Sequence, residues 1–329
     1  MSVSALEPSR PRRSWLAWAL WLALSAALLV AIRHLAWEET FRRLSDVRLP
    51  WIAAAVAANF AILPMWALEW GLLVPTAFRV AYARMFEIVS ITASVLNSIP
   101  FFAGEASAVG LLIARADLSR SAAASVLALD QLLVAFAKLV VLALAASLVP
   151  LPGWLRTGVF SLALGFIILL VILLVLAHFW TQAHELLSRR TGRVPTLLAL
   201  ATTWGRHLDA LREKRRAVAA IALALLKKGA EISAVVAIQL AFGIEPSVAA
   251  AVLVVACLAI TTLIPIAPAN LGVYEATVFA AYRYMDVPAD AALGMALLQH
   301  VCFLIPSIAT GYTMATLAQL KKRPRPTHA

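Results

Sequence analysis

The chain has 329 residues, is 63% hydrophobic and only 14% charged, and carries a formal net charge of +11. Its mean hydropathy of +0.88 lies well above that of a folded soluble domain, which excludes a water-soluble globular protein and predicts a polytopic membrane protein. The excess of Lys and Arg sits beside apolar runs, which points to anionic lipid headgroups and away from nucleic acid.

In chain order, breakers and charges predict spans near 15–35, 49–74, 121–149, 157–180, 217–243 and 290–319, making six full crossings. A backbone in hydrocarbon must satisfy its own hydrogen bonds, and none of the short alternating segments of a membrane barrel occur, so the fold is expected to be all helical. The first run follows Arg10, Arg12 and Arg13 and could be taken for a signal peptide. It lacks a convincing small-residue cleavage site and is longer than a usual signal core, so a retained anchor is expected. Cys257 and Cys302 both lie inside apolar runs and are expected as small core hydrophobes.

Two further segments, about 85–114 and 247–283, each consist of two apolar arms around a Pro/Gly break. The first break reads Ser98-Ile-Pro100-Phe-Phe-Ala-Gly104-Glu105, and the second runs from Leu263-Ile-Pro265 through Pro268-Ala-Asn270-Leu-Gly272-Val-Tyr274-Glu275. Each places a carboxylate just after a glycine at the start of a short helix. Such a paired interruption in two halves is the sequence pointer to a substrate site in transporters, and each segment is expected to be a re-entrant helical hairpin.

An offset of 169 residues sets Leu118-Ser119-Arg120 against Val287-Pro288-Ala289 and Gln131 against His300. The expected organisation is a single membrane domain over 1–329, with a first repeat about 85–149 and a second about 247–319. Between them, about 181–216 is predicted as a cytoplasmic amphipathic linker. Basic clusters at Arg10–Arg13, at Arg79 and Arg84, in the linker and at Lys321–Arg325 place both termini inside by the positive-inside bias, and the two hairpins then enter from opposite faces as inverted repeats. The basic residues Arg33, Arg42, Arg43 and Arg48 fit this topology badly, although Glu38, Glu39 and Asp46 lie among them.

Ionisable side chains at membrane depth cost at least ~2.5 kcal/mol each on insertion scales and need a partner or a wet cavity. Glu69, Glu105, Asp130, Lys138, Lys227, Lys228, Glu231, Glu275 and His300 are such residues here. Lys227 and Glu231 are four apart and are expected to pair, leaving Lys228 over for snorkelling or a headgroup. Glu105 and Glu275 either cap the free N–H groups of their short helices or line an anion-cradling cavity. The candidate substrate-binding set is Glu105, Glu275 and Asp130, with Asn97, Gly104, Asn270, Gly272, Tyr274, Gln131, His300 and Lys228 around them. No metal site or cofactor is expected.

The motifs from Asn97 to Glu105, the following Leu127-Ala-Leu-Asp130-Gln131, and the late Leu263 to Glu275 resemble the lysylphosphatidylglycerol synthase transmembrane region, also called the flippase-like domain family. The resemblance runs from about Trp66 to Leu317. In that family the late motif resembles Pro, a Gly pair, then Leu-Gly-Val-Arg-Glu. Here Asn270 and Tyr274 stand at a Gly and the Arg, and Gln131 and His300 stand at two later Arg positions. The resemblance implies an integral membrane protein that moves lipids or lipid-linked headgroups between leaflets.

The expected function is a stand-alone lipid translocase and not an enzyme: Walker, H-x-x-x-H and Gly-x-Ser-x-Gly motifs are missing from the sequence, and the chain stops at Ala329 without an aminoacyl transferase domain. Its expected partners are membrane lipids with anionic or amphipathic headgroups, with a homo-oligomer or a lipid-synthesis enzyme as further possibilities. A secondary transporter of a small solute and a non-catalytic partner of a lipid-modifying enzyme are the alternatives. A bacterial inner membrane with both termini cytoplasmic is the expected location.

Overall fold

Two of the described helices start where a serine side chain takes up a free N–H group of the first turn. In the computed structural model, which describes residues 37–99, 103–151, 153, 156–161, 163–168, 213–263 and 267–322, Ser119 Oγ accepts from the Ala122 N–H at 3.2 Å and opens a long helix. Ser247 Oγ does the same for Ala250 at 3.1 Å. Gln239 clamps that second start, accepting the Ser247 N–H at 2.7 Å and donating to its carbonyl at 3.2 Å. Each cap satisfies an otherwise orphaned donor, an effect typically of about 1 kcal/mol.

The described helices are α1 (Trp37–Ser45), α2 (Leu49–Leu73), α3 (Tyr82–Ser98), α4 (Ala103–Ala116), α5 (Arg120–Leu148), α6 (Lys214–Ala241), α7 (Val248–Thr261), α8 (Val273–Tyr284) and α9 (Ala289–Lys322). A 3₁₀ turn at Pro268–Asn270 precedes α8. No strand occurs among the described residues, as the all-α expectation required. Three helices, α2, α5 and α9, are long and apolar enough to cross a membrane by length and composition. The 28 residues of α6 rise about 42 Å, also enough to cross, but Lys227, Lys228 and Glu231 interrupt its apolar character. The predicted first span lies outside the described residues. So do most of the linker about 181–216 and the far part of the span near 157–180, of which an apolar helical stretch at Arg156–Ile168 is described.

Much of the surface of α2, α5 and α9 is exposed and apolar, carrying Phe60, Leu68, Leu144, Leu148, Ile305 and Leu317. In water such a belt would be an aggregation surface, whereas acyl chains solvate it without cost. The molecule is an integral membrane protein. By contrast α7 is buried almost all round, with every residue from Ala250 to Cys257 in the core. That is the burial expected of a uniformly apolar helix at the centre of a bundle. Both cysteines are buried and free.

Both segments with a Pro/Gly break contain two helices, α3 and α4 on either side of the first break and α7 and α8 on either side of the second, each break being the joint of its pair. Contacts tie the elements together at both ends of the bundle. At one end, Arg216 of α6 donates to the Val74 carbonyl at 3.5 Å, and Arg115 at the close of α4 pairs with Glu87 near the start of α3. At the other end, the Arg48 N–H donates to the Ala241 carbonyl at 2.9 Å, and Tyr284 Oη donates to the Pro150 carbonyl at 2.5 Å. Between the pairs, α3 packs on the 3₁₀ turn that precedes α8. Arg43, one of the badly fitting arginines, pairs with Asp290 at the start of α9. Its charge is met by that carboxylate, 247 residues along the chain.

Two apolar cores result. One surrounds α7 and α8; the other surrounds α3, α4 and the Trp70 end of α2. Small residues let the elements approach closely. A Cβ on Gly311 of α9 would overlap Ser94 and the Ser90 carbonyl of α3. We therefore expect Gly311→Val to destabilise the fold by about 1–3 kcal/mol, as overpacking does. Thermal denaturation of the purified protein measures this, and an unchanged midpoint would show that the two helices part freely.

Candidate functional site

Between the two apolar cores runs a polar layer. It contains a cavity of about 190 Å³, larger than the ~150 Å³ that accommodates a benzene-sized group. Its walls come from nearly every major element: Asn59 of α2, Asn97 of α3, Lys138 of α5, Lys228 and Glu231 of α6, and Gln299 of α9. Asn270 from the second joint and Tyr274 of α8 complete the polar lining.

Charge in this cavity is not balanced. Lys228 Nζ lies 2.7 Å from both oxygens of Glu231, three residues along the same helix. Lys138 makes no ion pair or hydrogen bond among the described residues, while facing Lys228 and Glu231. The three side chains together leave one positive charge. An unpaired ammonium held out of water is costly, so an anionic group entering the cavity would be stabilised there.

The expected Lys227–Glu231 pair does not form. Lys227 instead reaches across to α2, where its Nζ lies 2.7 Å from Glu69 Oε2, and Lys228 takes Glu231. Positions three and four residues apart are both neighbours on a helix face, so spacing alone does not choose between them. The neighbouring helix does, by presenting a buried carboxylate to Lys227.

Of the residues predicted for the site, Asn97, Lys228, Asn270 and Tyr274 line the cavity. Asn97 Nδ2 donates to the Ala93 carbonyl at 2.9 Å and approaches Ser307 Oγ at 3.4 Å. Tyr274 Oη accepts from Gln299 Nε2 at 3.0 Å, and its ring stacks on His300 with centroids 4.1 Å apart. Carboxamide oxygens of both Asn270 and Gln299 are buried without a hydrogen-bond partner among the described residues. A ligand bearing N–H or O–H donors would satisfy them.

Glu275 and His300 lie just behind this wall. Glu275 Oε2 accepts the Gly272 N–H at 2.7 Å and so caps α8, while Oε1 lies 2.7 Å from His300 Nδ1. Gly272 itself has φ +83°, a left-handed conformation that favours glycine. His300 is 2% exposed, and its Nε2 has no partner among the described residues. The capping role weighed for Glu275 is thus occupied, and the same carboxylate also orients the imidazole that stacks on Tyr274.

Glu105, Gly104, Asp130 and Gln131 are placed elsewhere. Glu105 sits in the first turn of α4, near the other joint, with Oε2 buried and unpartnered among the described residues. Gly104 allows α4 to close on α3, since a Cβ there would overlap the Leu96 side chain and come within 3.0 Å of its Cα. Asp130 is buried in the first core, where its Oδ1 accepts from Trp66 and Trp70 Nε1 at 2.9 Å each. Gln131 is exposed on α5, its Nε2 3.5 Å from Asp130 Oδ2.

Asn59, Lys138, Glu231 and Gln299 belong to the cavity and were not in the predicted set. Lys138 and Glu231 had a signal, being ionisable residues in apolar spans. Asn59 and Gln299 had none beyond being neutral amides in apolar helices.

The model of the family described as the lysylphosphatidylglycerol synthase TM region matches residues 16–311. The chain belongs to the lysylphosphatidylglycerol synthase TM region family. No curated protein matches the chain. A family of this kind is concerned with lipid handling in a membrane, and the fold described above agrees with that setting.

Against the resembled late motif of this family, the second joint explains a spacing that sequence alone left arbitrary. Asn270, which stands at a Gly of the resembled motif, and Ala269 before it both have φ +54°. Left-handed backbone costs roughly 1–2 kcal/mol per ordinary residue and little for glycine. Asn tolerates it through its short polar side chain, and it brings an amide to the cavity wall in exchange. Tyr274, at the resembled Arg position, lines the cavity with a phenol and not a guanidinium. Cationic character is supplied from α5 and α6 instead.

Proposed function

We propose that this chain is a lipid translocase that passes polar headgroups between leaflets through the cavity lined by Lys138, Lys228, Asn97, Asn270 and Tyr274. The observation that carries this reading is the unbalanced positive charge of that cavity, set between two apolar cores. Acyl chains would remain in the bilayer while the headgroup exchanges water for the lysine and amide groups, lowering the cost of crossing hydrocarbon. A phosphate suits Lys138, and hydroxyls or an amine on the same headgroup suit the buried, unpartnered oxygens of Asn270 and Gln299 once it enters. Anionic or zwitterionic phospholipids are therefore the favoured class.

On this reading the two broken pairs are re-entrant hairpins that enter from opposite faces as inverted repeats, in a bundle of six full crossings. The starts of α5 and α9 at Arg120 and Ala289, which keep the offset of 169 found in the sequence, support the repeat. On this reading the protein resides in a bacterial inner membrane with cytoplasmic termini, acts without enzymatic chemistry and moves lipids without an ATPase of its own. A homo-oligomer or association with a lipid-synthesis enzyme is compatible with it.

Reconstitution into liposomes carrying fluorescent phospholipids tests the proposal. Faster exchange between leaflets than in protein-free vesicles is the expected result, greatest for anionic headgroups. No acceleration with any headgroup would reject it. The small size of the cavity favours one second reading, a secondary transporter of a small anionic solute. Solute uptake without lipid exchange in the same vesicles would select that reading.

A further inference from the structure

The carboxamides of the cavity wall share an orientation. Asn59 Nδ2 donates to the Ala55 carbonyl and Asn97 Nδ2 to the Ala93 carbonyl, at 2.9 Å each, one turn back along their own helices. Gln299 Nε2 donates to Tyr274 Oη at 3.0 Å. A carbonyl oxygen only accepts, so turning over either asparagine amide would set oxygen against oxygen. All three side chains therefore spend an N–H inside the protein, and no described group donates to their oxygens. Asn270 Oδ1 is buried and unpartnered in the same way, as is Gln299 Oε1. Asn59 is 8% exposed and Gln299 2%.

These four amides come from α2, α3, α9 and the second joint, yet they line one cavity. An apolar side chain at any of these positions would leave no polar atom unmet, so packing alone does not account for them. Asn270 makes the point most sharply. Its φ of +54° would suit a glycine, and what asparagine adds there is an amide on the cavity wall.

A wall of acceptors suits an occupant that brings its own N–H or O–H groups. Lys138 on the same wall supplies the complementary contact, a cation for a phosphate. The cavity thus meets a headgroup at two points, negative charge at Lys138 and hydrogen-bond donors at the amide oxygens. A primary ammonium carries three N–H donors, and each N-methylation removes one without changing the charge. A trimethylammonium has none left, and it would cover the amide oxygens with methyl groups, leaving them desolvated and unmet.

We propose that Asn59, Asn97, Asn270 and Gln299 form a specificity subsite that admits phosphate-ester headgroups ending in N–H or O–H donors and rejects those ending in a quaternary ammonium. Its use in transport rests on the translocase reading. As a binding site it serves a soluble phosphate ester of the same chemistry equally well.

Proteoliposomes holding the full chain and fluorescent lipids with ethanolamine, methylethanolamine, dimethylethanolamine and choline headgroups test the subsite at constant charge. Wild-type exchange should fall along this series, by about tenfold or more from ethanolamine to choline, the factor that one unmet buried acceptor carries. Gln299→Met removes one acceptor at similar volume. Asn270→Gly removes another and fits the left-handed backbone at least as well as asparagine does. Each variant should bring the ethanolamine-to-choline ratio toward one. Equal wild-type rates along the series, or a ratio unchanged in both variants, would overturn the subsite and leave the translocase reading standing. If no lipid exchanges at all, that reading fails by itself, and the subsite is decided on the purified chain with soluble glycerophosphoethanolamine and glycerophosphocholine. Thermal stabilisation by the first and not the second supports it, whereas equal stabilisation by both, or by neither, overturns it.

Discussion

Lys138→Glu is expected to abolish exchange of anionic phospholipids in proteoliposomes while leaving the protein folded. The substitution turns a cavity with two cations and one anion into one with one cation and two anions, reversing the sign of its net charge. An ammonium and a phosphate about 4 Å apart attract by about 4 kcal/mol at an effective dielectric of about 20. Such an energy corresponds to nearly three decades in affinity at about 1.4 kcal/mol per decade. Water in the cavity screens part of it, so a fall of at least about tenfold in exchange rate is the expected outcome.

Lys138→Met, which removes the charge without reversing it, should give an intermediate rate. Lys228→Met should be worse than Lys138→Met, because it also strands the Glu231 carboxylate that Lys228 now contacts through both oxygens. Fluorescent-lipid exchange in vesicles of fixed lipid-to-protein ratio measures all three. A wild-type rate for Lys138→Glu would show that headgroups do not pass Lys138.

Asp130→Ala is expected to be the most destabilising single change in the first core. Asp130 Oδ1 is the acceptor for two indole N–H groups, each at 2.9 Å, and Trp70 is fully buried. Truncation leaves both donors without that acceptor, at a cost of roughly 1–3 kcal/mol per unsatisfied buried group. The removed side chain also leaves a void against close-packed neighbours. A loss of about 2–6 kcal/mol follows, large against a net stability of about 5–15 kcal/mol for a folded domain. Asp130→Asn keeps an acceptor oxygen of the same shape and should retain most of the wild-type stability. Thermal unfolding followed by tryptophan fluorescence distinguishes the two, and equal midpoints for Asp130→Ala and wild type would show that the indoles find other acceptors.

Much of the architecture was legible as pattern. Hydropathy placed α2, α5 and α9 to within a few residues, because a backbone crossing hydrocarbon must be an uninterrupted helix and its length is fixed by bilayer thickness. The breaks at Pro100 and around Pro265 to Gly272 were visible for the complementary reason, since Pro and Gly interrupt a helix wherever they are placed between apolar arms. Asn97, Asn270 and Tyr274 followed from the breaks, lying at or beside the joints that reach the cavity.

Partner choice was not legible. Lys227 and Lys228 are adjacent in the chain, yet one pairs with Glu69 and the other serves the cavity, because consecutive helix positions point about 100° apart toward different neighbours. Asp130 had the signature of an intramembrane functional residue, but its immediate environment came from two tryptophans on another helix, 60 and 64 positions earlier in the chain. Periodicity reports which face of a helix is apolar and carries nothing about what lies opposite.

The sequence by itself determined that this is a helical membrane protein with two interrupted segments, since both follow from local chemistry: apolar length and backbone breakers. Only the tertiary structure decided which charges are matched and which are left over. Whether a buried lysine is neutralised depends on a carboxylate arriving from a distant helix, and that is settled by packing across the whole bundle.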